Sequence, residues 1–107
     1  MEDKTNLVSD AFKTFMTDAP EHAKAWYRLV QGLASASALE KKTDELAYLS
    51  VLAALNRVSG IPFHVVSAKK SGATREEIIS AILVGLPAAG HIVTQALPSA
   101  LQAYDAD

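Results

Sequence analysis

From Leu46 to Leu55 only Ser50 and the Tyr48 hydroxyl are polar, and this run most constrains what the chain can become. No segment of the sequence alternates with period two, so the run is read as helix and no strand is expected. A helix that is apolar all round is packed on several sides, which makes the segment at about 41–57 the central element of an all-α fold.

The other segments arrange themselves around it. Leu7, Val8, Ala11, Phe12 and Phe15 recur at helical spacing, so a first helix is expected within residues 3–16. Asp18 is a candidate N-cap for a second helix, with Pro20 in its first turn. That helix carries Trp26, Leu29, Val30 and Leu33 on one side and frays in Ala34-Ser35-Ala36-Ser37. Gly60 is a candidate terminator of the central helix, and Pro62 suits the start of a fourth, at 61–71. Thr74-Arg75-Glu76-Glu77 reads as a capping box ahead of a stripe of Ile78, Ile79, Ile82, Leu83 and Leu86. Pro87 ends or kinks that helix, and a last one, 89–104, is expected to bend at Pro98.

Composition narrows the function. The 107 residues suit one domain, expected to span 1–107. Apolar residues make up 50% of the chain, enough for a large core or for surface that awaits a partner. A net charge of −2, with no long charge run, gives no footprint for nucleic acid. The start has no signal-peptide pattern, and Ala81–Gly90, interrupted by Pro87, is half the ~20 residues a membrane span needs, so a cytoplasmic location is the default expectation. The chain has no cysteine, hence no disulfide, thiolate nucleophile or cysteine metal site. His22, His64 and His91 form no zinc spacing, and no flavin, nicotinamide or phosphate-loop motif is present, so neither metal nor cofactor is expected.

One ordered set of residues resembles a known family. Leu39-Glu40-Lys41-Lys42-Thr43-Asp44-Glu45-Leu46 leads into the apolar helix. His64 follows Glu45 by nineteen residues, Ala68 comes four later, and Gly72-Ala73-Thr74 eight later. Over about residues 20–103 this resembles the carboxymuconolactone decarboxylase family, which includes the AhpD-like proteins. The resemblance implies an AhpD-like helical domain of five to six helices, assembled as a trimer or hexamer.

The chain departs from both branches of that family. AhpD-like members carry C-x-x-C with its second cysteine four residues before the histidine; those positions here are Arg57 and Gly60. A peroxiredoxin-type label would come with the family, but thiol peroxidase chemistry needs a thiolate and a resolving thiol. Decarboxylating members tend to have L-G-R before the histidine, matched by Leu55-Asn56-Arg57 except at the glycine, an acidic residue where Gly60 stands, and no glutamate where Glu45 stands.

The resemblance nominates His64 as an acid/base and Glu45 as its orienting partner. Read without it, His64 is a hydrogen-bonded structural histidine and Glu45 a first-turn glutamate favoured by the helix dipole. In a plain hairpin turning at 58–60, His64 lies opposite residue 54, about nine residues or ~14 Å from Glu45. A steep crossing, a bend or a neighbouring subunit would be needed to join them. Desolvation beside the core is expected to raise the Glu45 pKa. Arg57, near the end of the central helix, either complements the dipole or grips a substrate carboxylate. His22 reads as solvated, His91 as a packing or subunit contact, and Trp26 and Tyr27 as core or interface. The function expected is a cofactor-free enzyme, carboxy-lyase-like, acting on a small carboxylic acid or lactone. The alternative is a non-catalytic binding or structural member of the family.

Overall fold

The computed structural model describes residues 8–106, and the first five residues of the opening helix expected at 3–16, Leu7 among them, lie outside that range. Helix α1, Asp10–Asp18, starts where the Ser9 hydroxyl accepts the Phe12 N–H at 3.2 Å. Asp18 does not cap the next helix. It is the last residue of α1, and Ala19 takes the cap of α2, Pro20–Ala36, with no side-chain bond. Proline disfavours helical geometry in the residue before it, so the break falls at Ala19, whose φ is −132°.

Helix α3, Lys41–Ala54, ends three residues before the expected boundary. The terminator is Asn56, at φ +55°, rather than Gly60. The Arg57 N–H donates to the Leu52 carbonyl at 2.8 Å and the Asn56 N–H to that of Ala53 at 3.2 Å. This pair of bonds is a Schellman closure, with asparagine in the left-handed position that it tolerates better than most residues. A 3₁₀ turn, Val58–Gly60, then feeds α4, Ile61–Lys70, with Pro62 in its first turn.

Gly72, at φ +100°, ends α4 by the same closure: the Ala73 N–H reaches the Ala68 carbonyl and the Gly72 N–H that of Lys69. The expected capping box then opens α5, Arg75–Leu83, with the Thr74 hydroxyl accepting from the Glu77 N–H at 3.1 Å and the Glu77 carboxylate from the Thr74 N–H at 2.9 Å.

The C-terminal third departs from the expected single bent helix. A short α6, Leu86–Ala89, a 3₁₀ turn, His91–Ala96, and α7, Leu97–Asp105, replace it. Pro87 and Pro98 each sit in a first turn, where a missing N–H costs no ladder bond, so they start helices instead of kinking them. Six helices thus have nine residues or more, and no strand occurs among the described residues. None of these helices is long and apolar enough to cross a membrane.

Helix α3 is the central element of the core as expected, but its apolar run is not covered all round: Ala47, Tyr48, Val51, Ala54 and Leu55 are exposed. Leu49, Leu52 and Ala53 of α3 pack with Ile61, Val65 and Ala68 of α4, Ile78 and Ile82 of α5, Val93 and Ala96 of the second 3₁₀ turn, and Ala100 of α7. The far end of α7 is stitched to the α4–α5 turn. Arg75 forks onto Asp105 at 2.9 and 3.0 Å, the Tyr104 hydroxyl donates to the Ala73 carbonyl at 2.9 Å, and Lys69 donates to the Tyr104 carbonyl at 2.7 Å.

Two apolar surfaces stay outside this core. One face of α3 is open, with Tyr48, Val51 and Leu55 46%, 52% and 62% exposed. Helix α2 packs on α1 through Trp26, whose ring centroid lies 5.1 Å from that of Phe12 and 6.4 Å from that of Phe15. Every residue of α2 except Ala23 is nevertheless exposed, including Leu29, Val30 and Leu33. Trp26 and Tyr27 therefore belong to the surface of the single chain.

Leu49 is fully buried at the centre of the core, so Leu49→Ala should cost about 3 kcal/mol in denaturant unfolding. Thr74→Ala, which removes the cap hydroxyl of α5, should cost about 1 kcal/mol in the same measurement.

Candidate functional site

The level at which α4 runs beside α3 follows from the turn between them. Gly60 lies against Leu52: a Cβ built on it would meet the Leu52 methyl carbons at 3.4 and 3.6 Å. The chain has therefore come back to the level of Leu52 before α4 begins. Four residues further, His64 stands opposite Tyr48, and the two ring centroids are 4.4 Å apart at 47°. Glu45 is then only one helical turn away, about 5 Å along the axis, which the two side chains span. The plain hairpin failed by placing the reversal too late, since α3 stops at Ala54 and the connection doubles back within six residues.

The outcome is a direct contact within one chain. His64 Nδ1 lies 3.3 Å from Glu45 Oε2, and Lys41 Nζ lies 3.3 Å from Glu45 Oε1. Glu45 is buried, with 6% of its surface exposed, and no other charged or polar residue among those described is buried to that degree. A buried carboxylate needs partners for both oxygens, and it has one for each. His64 is partly exposed, and its ring centroid also lies 5.3 Å from that of Phe63.

Electrostatics reverses one expectation. Burial is the largest single influence on the Glu45 carboxyl and pushes its pKa up. The hydrogen bond and charge of His64, followed by the charge and hydrogen bond of Lys41, together outweigh it and hold the group below its ordinary value. An ionised Glu45 can only accept, so Nδ1 carries the proton and donates. That fixes the ring: Nε2, which has no hydrogen-bond partner among the described residues, is the nitrogen turned over to other chemistry.

Arg57 is placed differently. It lies past the end of α3, as the N-cap of the 3₁₀ turn, exposed and with no ion pair or side-chain hydrogen bond among the described residues. It is thus outside the last helical turn whose dipole it was expected to complement, and no contact joins it to Glu45 or His64. His22 is exposed on α2, and His91 is exposed at the start of the second 3₁₀ turn. Two neighbours of the site were not singled out from sequence. Lys41 stands four residues before Glu45, a spacing that signals an ion pair on a helix. Tyr48 stands three after it, and its contact with His64 depends on tertiary packing.

Two grooves among the described residues lie away from this pair. An open groove of about 480 Å³ runs between α3 and α5, lined by Leu46, Ala47, Ser50, Ala81 and Val84 among others. A second, of about 430 Å³, lies at the α1–α2 junction beside Met16 and Tyr27. Neither is lined by Glu45 or His64.

A model of the carboxymuconolactone decarboxylase family matches residues 20–104, from the start of α2 into the last turn of α7. The chain belongs to the carboxymuconolactone decarboxylase family. Its fold is similar to the crystal structure of an apo carboxymuconolactone decarboxylase family protein from Legionella pneumophila, with TM-score 0.77 and 26% identity over 94% of this chain and 93% of that one. No curated protein matches the sequence. Within this family fold, the two positions where AhpD-like members carry sulfur are Arg57 and Gly60, at either end of the first 3₁₀ turn. The connection that would hold a dithiol is present here without thiols.

Because its folded pKa is depressed, Glu45 contributes stability above the ordinary glutamate value, and that contribution is lost as pH falls through and below it. His64→Gln removes the first-named of the groups that lower it, so the Glu45 carboxyl should titrate higher in the variant than in the wild type. Carbon-detected NMR of the carboxyl resonance reads this directly; an unchanged or lower value would contradict the coupling.

Proposed function

We propose that Glu45 and His64 form a proton-transfer site for a small carboxylic acid or lactone, carrying out decarboxylation or a related carbon-acid reaction without a cofactor. The observation that carries this reading is the 3.3 Å contact between His64 Nδ1 and a buried carboxylate, which directs Nε2 away from Glu45. Carboxylate–imidazole pairing holds the tautomer and stabilises the imidazolium. Loss of CO2 from a β-keto-type acid leaves an enolate-like carbanion. His64, having first taken a proton from water onto Nε2, gives that proton to the carbon that keeps the electron pair of the broken C–CO2 bond, and the neutral ring keeps its Nδ1–H on Glu45. Arg57 is the proposed anchor of the substrate carboxylate, since its guanidinium is uncommitted and can fork onto two oxygens. The working form is a homo-oligomer, a trimer or a hexamer, in the cytoplasm, and its partners are small molecules of this class rather than nucleic acid.

A second reading has its own support. Neither of the two grooves described above is lined by His64, which suits a member that keeps the fold and the ion pair but only binds an acid or another protein. Turnover of a panel of β-keto acids and unsaturated lactones separates the two. For an enzyme, His64→Gln should preserve the melting temperature within a few degrees and lower kcat by ~100-fold or more. A wild type inert across the panel, yet raised in melting temperature by one of its acids, favours the binding module. In either case the chain should not consume peroxide with a dithiol donor, because Met1 and Met16 are its only sulfur-bearing residues and neither supplies a thiolate.

A further inference from the structure

Tyr48 is a tyrosine at a position where packing asks only for a ring. It stands three residues after Glu45 on α3, and its ring centroid lies 4.4 Å from that of His64, tilted at 47°. That contact explains an aromatic side chain. It does not explain the hydroxyl, which makes no hydrogen bond among the described residues. Tyr104 shows the structural use of a phenol, since its hydroxyl ties α7 to the Ala73 carbonyl at 2.9 Å. Tyr48 is 46% exposed, so a molecule arriving from solvent meets it beside the imidazole. Two uncommitted polar ends, Tyr48 Oη and His64 Nε2, thus belong to rings in contact.

We propose that Tyr48 is a catalytic residue of the Glu45–His64 site, its hydroxyl donating a hydrogen bond to the enolate oxygen of the intermediate while His64 Nε2 delivers a proton to the carbon. This assignment rests on the proton-transfer reading given above. It also narrows the substrate class to acids whose departing carboxylate is β to a carbonyl, because that carbonyl oxygen is what Tyr48 holds. The geometry allows it. With ring centroids 4.4 Å apart, Oη stands within about 8 Å of Nε2, a span bridged by a carbon ~3 Å from Nε2 whose enolate oxygen lies ~2.7 Å from Oη.

The electrons and protons balance without a further reactant. When the C–CO2 bond breaks, its electron pair passes to the α-carbon and is shared with the carbonyl oxygen. The Tyr48 O–H donates to that oxygen as charge builds on it and keeps its own proton. The pair then forms a C–H bond with the proton from Nε2, and the carbonyl is restored. A donor aimed where charge develops stabilises the transition state more than the substrate. Lys41 removes an obstacle to the approach of an acid. Its Nζ, 3.3 Å from Glu45 Oε1, balances the buried carboxylate, so an anion nearing His64 meets no uncompensated negative charge.

Tyr48→Phe keeps the ring and its packing on His64, so the melting temperature should hold within a few degrees. With a β-keto acid that the wild type turns over, kcat should fall by ~100-fold or more while KM changes less than about threefold, because the lost bond belongs to the transition state. Tyr27→Phe, which removes an exposed phenol of α2, should turn over as the wild type does. Equal kcat in Tyr48→Phe and wild type would overturn the assignment and leave the Glu45–His64 reading standing. A second readout needs no turnover. The chain has three tyrosines, so carbon-13 at Cζ gives three signals, and that of Tyr48 is the one missing from Tyr48→Phe. The preformed nitronate of 3-nitropropionate, a planar anion with charge on oxygen beside carbon, should move that signal and the His64 ring signals together. His64 signals that move while Tyr48 stays put would overturn the assignment alone. A wild type inert to the acids, with neither residue responding to the nitronate, would refute both the assignment and the reading it rests on.

Discussion

Gly60 rests on Leu52, and that contact sets the level at which α4 runs beside α3. With the chain returned so early, His64 meets Tyr48 and comes within reach of Glu45. The same arrangement puts Ile61 and Val65 against the buried side of α3, so core and site are built by one hairpin. The hairpin is possible because Asn56 accepts a left-handed backbone and closes α3 at Ala54. A connection reversing a few residues later would leave a carboxylate inside the core without its imidazole.

The ion pair is consequently more than a local event. Glu45 is buried because α3 is the central helix, and burial opposes its charge. His64 and Lys41 each hold one oxygen, and the sum favours the ionised form. Desolvation alone predicted the opposite direction. The sign depends on which groups the fold brings near, and the sequence distance between Glu45 and His64 hides one of them.

Much of the architecture could be read from residues whose effects are local. The Thr74–Glu77 capping box, Pro62 in the first turn of α4, and the apolar run of α3 all act within a few residues, and each appears as expected. The misreadings share a cause. Asp18, Gly60, Pro87 and Pro98 are residues whose effect on a helix depends on which side of them the chain has room to turn. Pro98 can bend a helix or begin one, and the 3₁₀ turn before it decides for beginning. The candidate site shows the same division: the family spacing named Glu45 and His64, Lys41 was missed although its i,i+4 spacing to Glu45 carries a signal, and Tyr48 had none, because its contact with His64 arises only when α4 lies alongside. Family membership itself was legible in the ordered residues from Leu39 to Ile78, while the missing sulfur at Arg57 and Gly60 set apart the chemistry from the fold.

Helix α2 carries a thermodynamic corollary. A helix that buries none of its residues adds backbone hydrogen bonds to the chain but almost no apolar burial, and isolated helices of this length are marginal in water. Its amides therefore open by local fluctuations, at a free energy well below that of the core. Those of Leu49 and Leu52 exchange only when the hairpin of α3 and α4 comes apart. The chain should therefore open in two steps, divided at the connection of residues 37–40 between α2 and α3, with only the second segment held by the chain's own interior.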